Sequence, residues 1–286
     1  MALQISPHFH EASNTVAYLV WDDATRQAAL IDPVLDFDAK SCRTATFAID
    51  AMLAEVEKRG LDLRWSLETH AHADHFSAAT VVRRRCGART VIGAGIAQVQ
   101  KVFKPIFDAA DLATDGSAFD HLVQDGERLP LGDLEIEVIA TPGHTPACIS
   151  YRINDAVFVG DTLFMPDYGT ARCDFPGGDA ATLYRSIRRL LSLPPETRLF
   201  MCHDYKAPGR DVYAWETTVA AQRAKNVHVH DGIDEAGFVA MREARDRKLD
   251  MPALILPSVQ VNIRAGELPP PAANGIRYLK LPVNKF

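Results

Sequence analysis

Residues 69–75 read Thr-His-Ala-His-Ala-Asp-His, "THAHADH", and directly follow a strand-like run at residues 64–68. Three histidines and one aspartate within seven residues are hard to explain by packing, because imidazoles two residues apart are costly to bury without partners. Converging lone pairs on a rigid scaffold are, by contrast, what a metal ion requires, and loops at strand ends supply them. The same placement recurs along the chain. His144 lies in "TPGHTPA" after a strand ending at Ala140, Asp161 closes "VFVGD", and His203 follows "RLFMC". His70, His72, Asp74, His75, His144, Asp161 and His203 are therefore the candidate metal-binding residues. Gly143 and Gly160, each just before a candidate, fit tight turns in which a β-carbon would clash.

Working outward, residues 14–21 and 28–33 read as a hairpin turned by "DDATRQ". Residues 45–59 carry Phe47, Ile49, Met52, Leu53 and Val56 at helical spacing, with Gly60 as the terminating glycine. Further helices are expected at 77–86, 180–191, 213–225 and 234–249, the last with Asp234 as N-cap. Strands are expected at 90–93, 134–140, 148–153, 156–159 and 198–202. Strands followed by helices, twice over, predict two sheets sandwiched between helices. Residues 1–225 read as the catalytic domain. Residues 226–286, partly helical and then proline-rich, read as an extension laid on that core.

The 286 residues are 47% hydrophobic and 24% charged, an ordinary balance for a globular protein. A net charge of −6 argues against a general nucleic-acid binder, since neutralising phosphate takes clustered Lys and Arg. No run approaches the ~18 apolar residues of a membrane span. Five scattered cysteines without a CxxC pair suit a reducing compartment. The first residues lack the basic-then-apolar pattern of a secretory signal, so a cytoplasmic location is expected. Cys173 reads as a small buried residue, and His8, His10, His121, His228 and His230 as surface residues.

In this order, "THAHADH", "TPGHTP", "GDTLF" and "CHDY" resemble the metallo-β-lactamase superfamily over roughly residues 10–225. The resemblance implies an α/β fold, the αβ/βα sandwich of two mixed sheets between helices, with metal at one edge. Transferred by position, it implies one site from His70, His72 and His144 with Asp161. A second would use Asp74, His75 and His203, with Asp161 bridging. Such a centre makes hydroxide at neutral pH and polarises a carbonyl. That is the chemistry of a dinuclear thioester hydrolase of the hydroxyacylglutathione hydrolase type, with two Zn(II) per chain. His70, His144 and Asp161 alone form the two-histidine, one-carboxylate set associated with non-haem Fe(II) and open positions for O2 and substrate.

"GTARCDFPGGD" (169–179), "CHDYKAPGRD" (202–211) and "RYLKLPVN" (277–284) are similar to the bacterial persulfide dioxygenases, and extend the resemblance over nearly the whole chain. That family implies one Fe(II) per chain on His70, His144 and Asp161, oxidising glutathione persulfide, or another thiol persulfide, with O2 to sulfite and glutathione. His72, Asp74, His75 and His203 then remain as hydrogen-bonding groups around the metal or as positions for a second one. Arg172 and Tyr205 match family positions near the substrate. A guanidinium suits a persulfide anion or a carboxylate, and a phenol can donate to a developing sulfur–oxygen species. Pairing of Arg172 with Asp174 across its own loop, and a packing role for Tyr205, stay open. No nucleic-acid or membrane partner is expected, and a homodimer is favoured because proline-rich arms and exposed edges often pair.

Overall fold

The computed structural model describes residues 2–285. Strands β1 (Leu3–His10) and β2 (Thr15–Asp22) pair antiparallel. All eight residues of β2 are buried, so the strand is covered on both faces. Successive side chains point to opposite faces. Val16, Tyr18 and Val20 pack with Ile136, Tyr151 and Phe158 of the second sheet. Ala17, Leu19 and Trp21 pack with Ile49, Met52 and Val56 of helix α1 (Phe47–Arg59) on the other side.

The first sheet continues through β3 (Gln27–Ile31), β6 (Asp62–Leu67), β8 (Arg89–Gly93) and β9 (His121–Val123), the last four strands parallel. A small sheet holds β4 (Val34–Asp38), β5 (Arg43–Ala45) and β7 (Phe76–Ser77). The second large sheet runs, in order, through β10 (Arg128–Leu131), β11 (Leu134–Ala140), β12 (Ile149–Ile153), β13 (Ala156–Phe158), β14 (Arg198–Phe200) and β15 (Glu216–Thr218). Its outer face is covered by α4 (Ala180–Leu190) and α6 (Glu235–Asp246), whose Leu183, Ile187 and Phe238 pack with Val157 and Leu199. Helix, sheet, sheet, helix is the αβ/βα sandwich, with both sheets mixed. Among the described residues no helix is long and apolar enough to cross a membrane.

Three helices differ from the expected elements. The helix expected at 213–225 begins only at Val219, as α5 (Val219–Lys225). Residues 216–218 join the sheet edge instead, where β-branched Thr217 and Thr218 fit the pleat. Thr218 then caps α5 by accepting from the Ala221 N–H. Helix α2 (Ala79–Cys86) lies within the expected 77–86, whereas helix α3 (Ile96–Ile106), which was not expected, carries Pro105 in its last turn and buries Ile96, Val99, Gln100 and Phe103 along one face. Helix α7 (Ile255–Asn262) has no polar face to reveal it, because Ser258, Gln260 and Asn262 are buried along with its apolar residues.

That last helix bears on the site. Val259 and Val261 enter two different core clusters. The Asn262 side chain donates to the carbonyls of His72 and His75 and accepts from the Ser77 N–H, each at 2.8 Å. The metal motif is thus clamped from below by residues nearly two hundred positions away.

Candidate metal centre

The donors arrive where strands end: after β6 (residues 70–75), after β11 (His144), after β13 (Asp161) and after β14 (His203). Two glycines permit this convergence. Gly143 has φ +139 and abuts Leu183, whose Cα would lie 2.3 Å from an added β-carbon. Gly160 has φ +53 and sits against the Thr69 side chain at 2.7 Å, a conformation and a space that only glycine meets without strain.

All seven candidate residues come together. Ligand atoms of His70, His144 and Asp161 lie within 4.8 Å of one another, as do those of His72, Asp74 and His75. Asp161 Oδ2 is 3.5 Å from His144 Nε2 and 3.8 Å from His70 Nε2. His203 Nε2 is 3.4 Å from Asp161 Oδ1 and 3.5 Å from Asp74 Oδ2.

Outward hydrogen bonds fix the rings. His144 Nδ1–H donates to the Arg172 carbonyl at 2.7 Å, and His203 Nδ1–H to the Asn14 carbonyl at 3.2 Å. Thr69 Oγ1 donates to Asp32 Oδ2 at 2.8 Å, so its oxygen is left to accept from His70 Nδ1–H at 3.0 Å. Each of these rings therefore turns the lone pair of Nε2 toward the centre. His70 Nε2, His72 Nδ1, His75 Nε2 and His203 Nε2 are buried without a hydrogen-bond partner. Buried polar atoms are seldom left unpaired, and four of them gathered among these donors fit metal binding.

The electrostatics agree at His70 and His75. Burial, helped by His72 and His144, holds His70 well below the ordinary histidine range. Burial holds His75 at about 4. Both rings are neutral at pH 7 and keep lone pairs to offer. Burial works against charge on His72, but Asp32 and Glu68 at its Nε2, 3.0 and 3.4 Å away, outweigh it and raise its proton affinity well above normal. Burial also opposes charge on Asp74, yet His203 and His75 beside it keep the carboxyl well below the usual range.

Asp32 is a support the sequence reading missed. It is held at φ +50, and accepts from the Thr69 N–H, the Thr69 hydroxyl and His72 Nε2. Aspartate tolerates that left-handed conformation better than most residues. Its signal in "ALIDP" is no more than an acid at a strand end.

A cleft of about 390 Å3 opens over the donors, lined by Asp74, His144 and Asp161 and walled by Phe164, Tyr168 and Phe175. Leu249, Pro252 and Leu254 of the C-terminal segment complete the wall. Arg172 and Tyr205 both line it. The Arg172 guanidinium is paired with both oxygens of Asp174 at 2.6 Å and donates to the Asp250 carbonyl. Its backbone carbonyl is what reaches the centre, through His144. Tyr205 stacks against His203 and is 40% exposed.

Cys173 is buried as expected. His228, expected at the surface, is buried instead, because its Nδ1 accepts from the Thr170 N–H at 3.0 Å and the ring lines the cleft.

A description of the metallo-beta-lactamase superfamily matches residues 11–203, and the chain belongs to that superfamily. It is similar to a probable metallo-hydrolase of Burkholderia pseudomallei, at 53% identity over 99% of each chain. Glyoxylase B2 of Dictyostelium discoideum is 46% identical over 99% of this chain and 97% of its own. The mitochondrial persulfide dioxygenase ETHE1 of Bos taurus is 31% identical over 92% of this chain and 89% of its own. The chain spans 65% of the beta-lactamase hydrolase-like protein of Xylella fastidiosa, with 51% identity. Among solved structures, ETHE1 from Myxococcus xanthus aligns with a TM-score of 0.73 at 33% identity, covering 92% of this chain and 100% of that one.

Proposed function

We propose that this chain is a persulfide dioxygenase that uses O2 to oxidise glutathione persulfide to sulfite and glutathione, with one Fe(II) per chain held by His70, His144 and Asp161. The observation that carries the reading is the trio itself: one carboxylate oxygen facing two ring nitrogens at 3.5 and 3.8 Å. Two histidines and a carboxylate gathered on one side leave positions open for substrate and O2. Likeness to the persulfide dioxygenase of Bos taurus supports the same assignment. When bound, Fe(II) supplies a spin-permitted route for O2 to react with sulfur. The balance is persulfide, O2 and water giving thiol, sulfite and two protons.

The chain's own residues do the rest. The Arg172 carbonyl holds His144 in register. Phe164, Tyr168 and Phe175 keep water from the reacting sulfur. The Tyr205 hydroxyl, without a hydrogen-bond partner among the described residues, donates to the oxygenated sulfur. Arg245 is the guanidinium of the cleft with no ion-pair partner among the described residues, and it receives a carboxylate of the tripeptide. In this reading residues 1–225 supply the donors, and residues 226–286 supply part of the substrate wall. A reducing cytoplasmic setting suits the five free cysteines.

A second reading, a dinuclear thioester hydrolase, is favoured by the donors outside the trio, since His72, Asp74 and His75 also converge. The likeness to glyoxylase B2 supports it. Sulfite release from glutathione persulfide, run beside cleavage of S-lactoylglutathione by the same preparation, separates the two. Sulfite without thioester cleavage is expected. Thioester cleavage without sulfite would overturn the proposal in favour of the hydrolase.

A further inference from the structure

Asp161 stands between two groups of donors, and its two oxygens meet different company. Oδ2 faces His144 and His70. Oδ1 lies 2.8 Å from Cys202 Sγ, which donates to it, and 3.4 Å from His203 Nε2. Cys202 is 2% exposed. His203 Nε2, on the same oxygen, is buried and has no hydrogen-bond partner.

Beyond the trio, His72, Asp74 and His75 form one group and Cys202 and His203 gather on Asp161 in another, with His203 Nε2 3.5 Å from Asp74 Oδ2 between them. An ion taken up by His203 between those groups meets Asp161 at Oδ1, the oxygen 3.4 Å from His203 Nε2. That oxygen is already engaged by a thiol that is itself buried. We infer that Cys202 is a positioning residue: by donating to Oδ1 it presents Oδ2 alone to the metal and holds the centre at one ion. This rests on the one-iron reading above. It also explains why a chain with all seven superfamily positions filled would act with three of them. Loss of a partner that orients a metal ligand weakens metal binding by about 10–100-fold, and Cys202 is such a partner for Asp161.

Titration of the demetallated full-length chain with Co(II), followed by absorption and by metal analysis after dialysis, tests the inference. Wild type and Cys202→Ser, which keeps a donor, are expected to take one ion each, with no sulfur-to-cobalt charge-transfer band. Cys202→Ala is expected to take two ions, with the first bound at least about tenfold more weakly. A Cys202→Ala protein that still takes one ion at unchanged affinity would overturn the role of Cys202 and leave the one-iron reading intact. Two ions in wild type would overturn both. Should Cys202→Ala fail to fold, the wild-type and Cys202→Ser spectra decide. Matching spectra at one ion sustain the inference. A charge-transfer band lost in the serine variant makes the thiolate a ligand and ends it.

Discussion

The floor and the rim of the cleft are held by different means. On the floor, His70, His72, His75, His144 and His203 are each at most 3% exposed. Each ring is tied outward to a carbonyl, hydroxyl or carboxylate. Leaving a buried polar atom in the wrong direction is expensive, so the geometry there is over-determined. At the rim, Tyr205 is 40% and Leu249 45% exposed. Arg172 is tied up by Asp174, while Arg245 is free of ion pairs among the described residues. Exposed charges contribute little to stability, so the rim is open to change without loss of the fold. The difference teaches that the floor fixes the metal donors, while the rim, on the proposed activity, sets which thiol carries the sulfur.

Four changes break or sharpen that contrast. The largest effect belongs to a floor donor. Asp161→Ala is expected to lower bound metal and turnover by well over the ~100-fold that losing an orienting partner costs, as read by metal analysis and sulfite release. Next is the floor's underside. Asn262→Ala strands the His72 and His75 carbonyls and the Ser77 N–H, and should lower stability by about 2–3 kcal/mol in urea unfolding.

A rim change should separate binding from chemistry. Arg245→Ala is expected to raise KM for glutathione persulfide roughly tenfold, the worth of one charged hydrogen bond, with kcat little changed. KM for a small persulfide without carboxylates should stay where it was, and an equal rise for both would remove Arg245 from substrate recognition.

The smallest effect concerns pH and His228 at the rim. Burial, with Arg242 and Arg245 nearby, holds this ring at about 4 in the folded chain, against about 6.5 when unfolded. Between those values the unfolded chain binds more protons, so stability rises with pH there. The contribution is intact above about 6.5 and is lost as pH falls toward 4. Thermal melts across this window should show a shallower slope for His228→Asn than for wild type.

The donors were legible because each sits inside a short motif at a strand end, where residue type and spacing say the same thing. The sandwich was legible because α1, β11 and α4 carry their periods and β2 a nearly continuous apolar run. What was hidden depends on distance along the chain or on backbone. Asp32 acts through a left-handed turn, on a hydroxyl 37 residues away. Asn262 lies on a helix buried all round. The Arg172 carbonyl leaves no trace in residue identity, whereas its guanidinium does. His228 is buried by the loop at Thr170, a contact that no local pattern announces. Cys202 read as one more scattered cysteine until Asp161 came beside it.

Oxygen uptake by anaerobically prepared, iron-loaded protein given glutathione persulfide, with metal counted on the same sample, tests the proposed activity most directly. Rapid uptake, one sulfite formed for each O2 consumed and one iron per chain is the expected result. No uptake, two metals per chain and cleavage of S-lactoylglutathione would contradict it, and would make the whole of "THAHADH" a dinuclear hydrolytic centre.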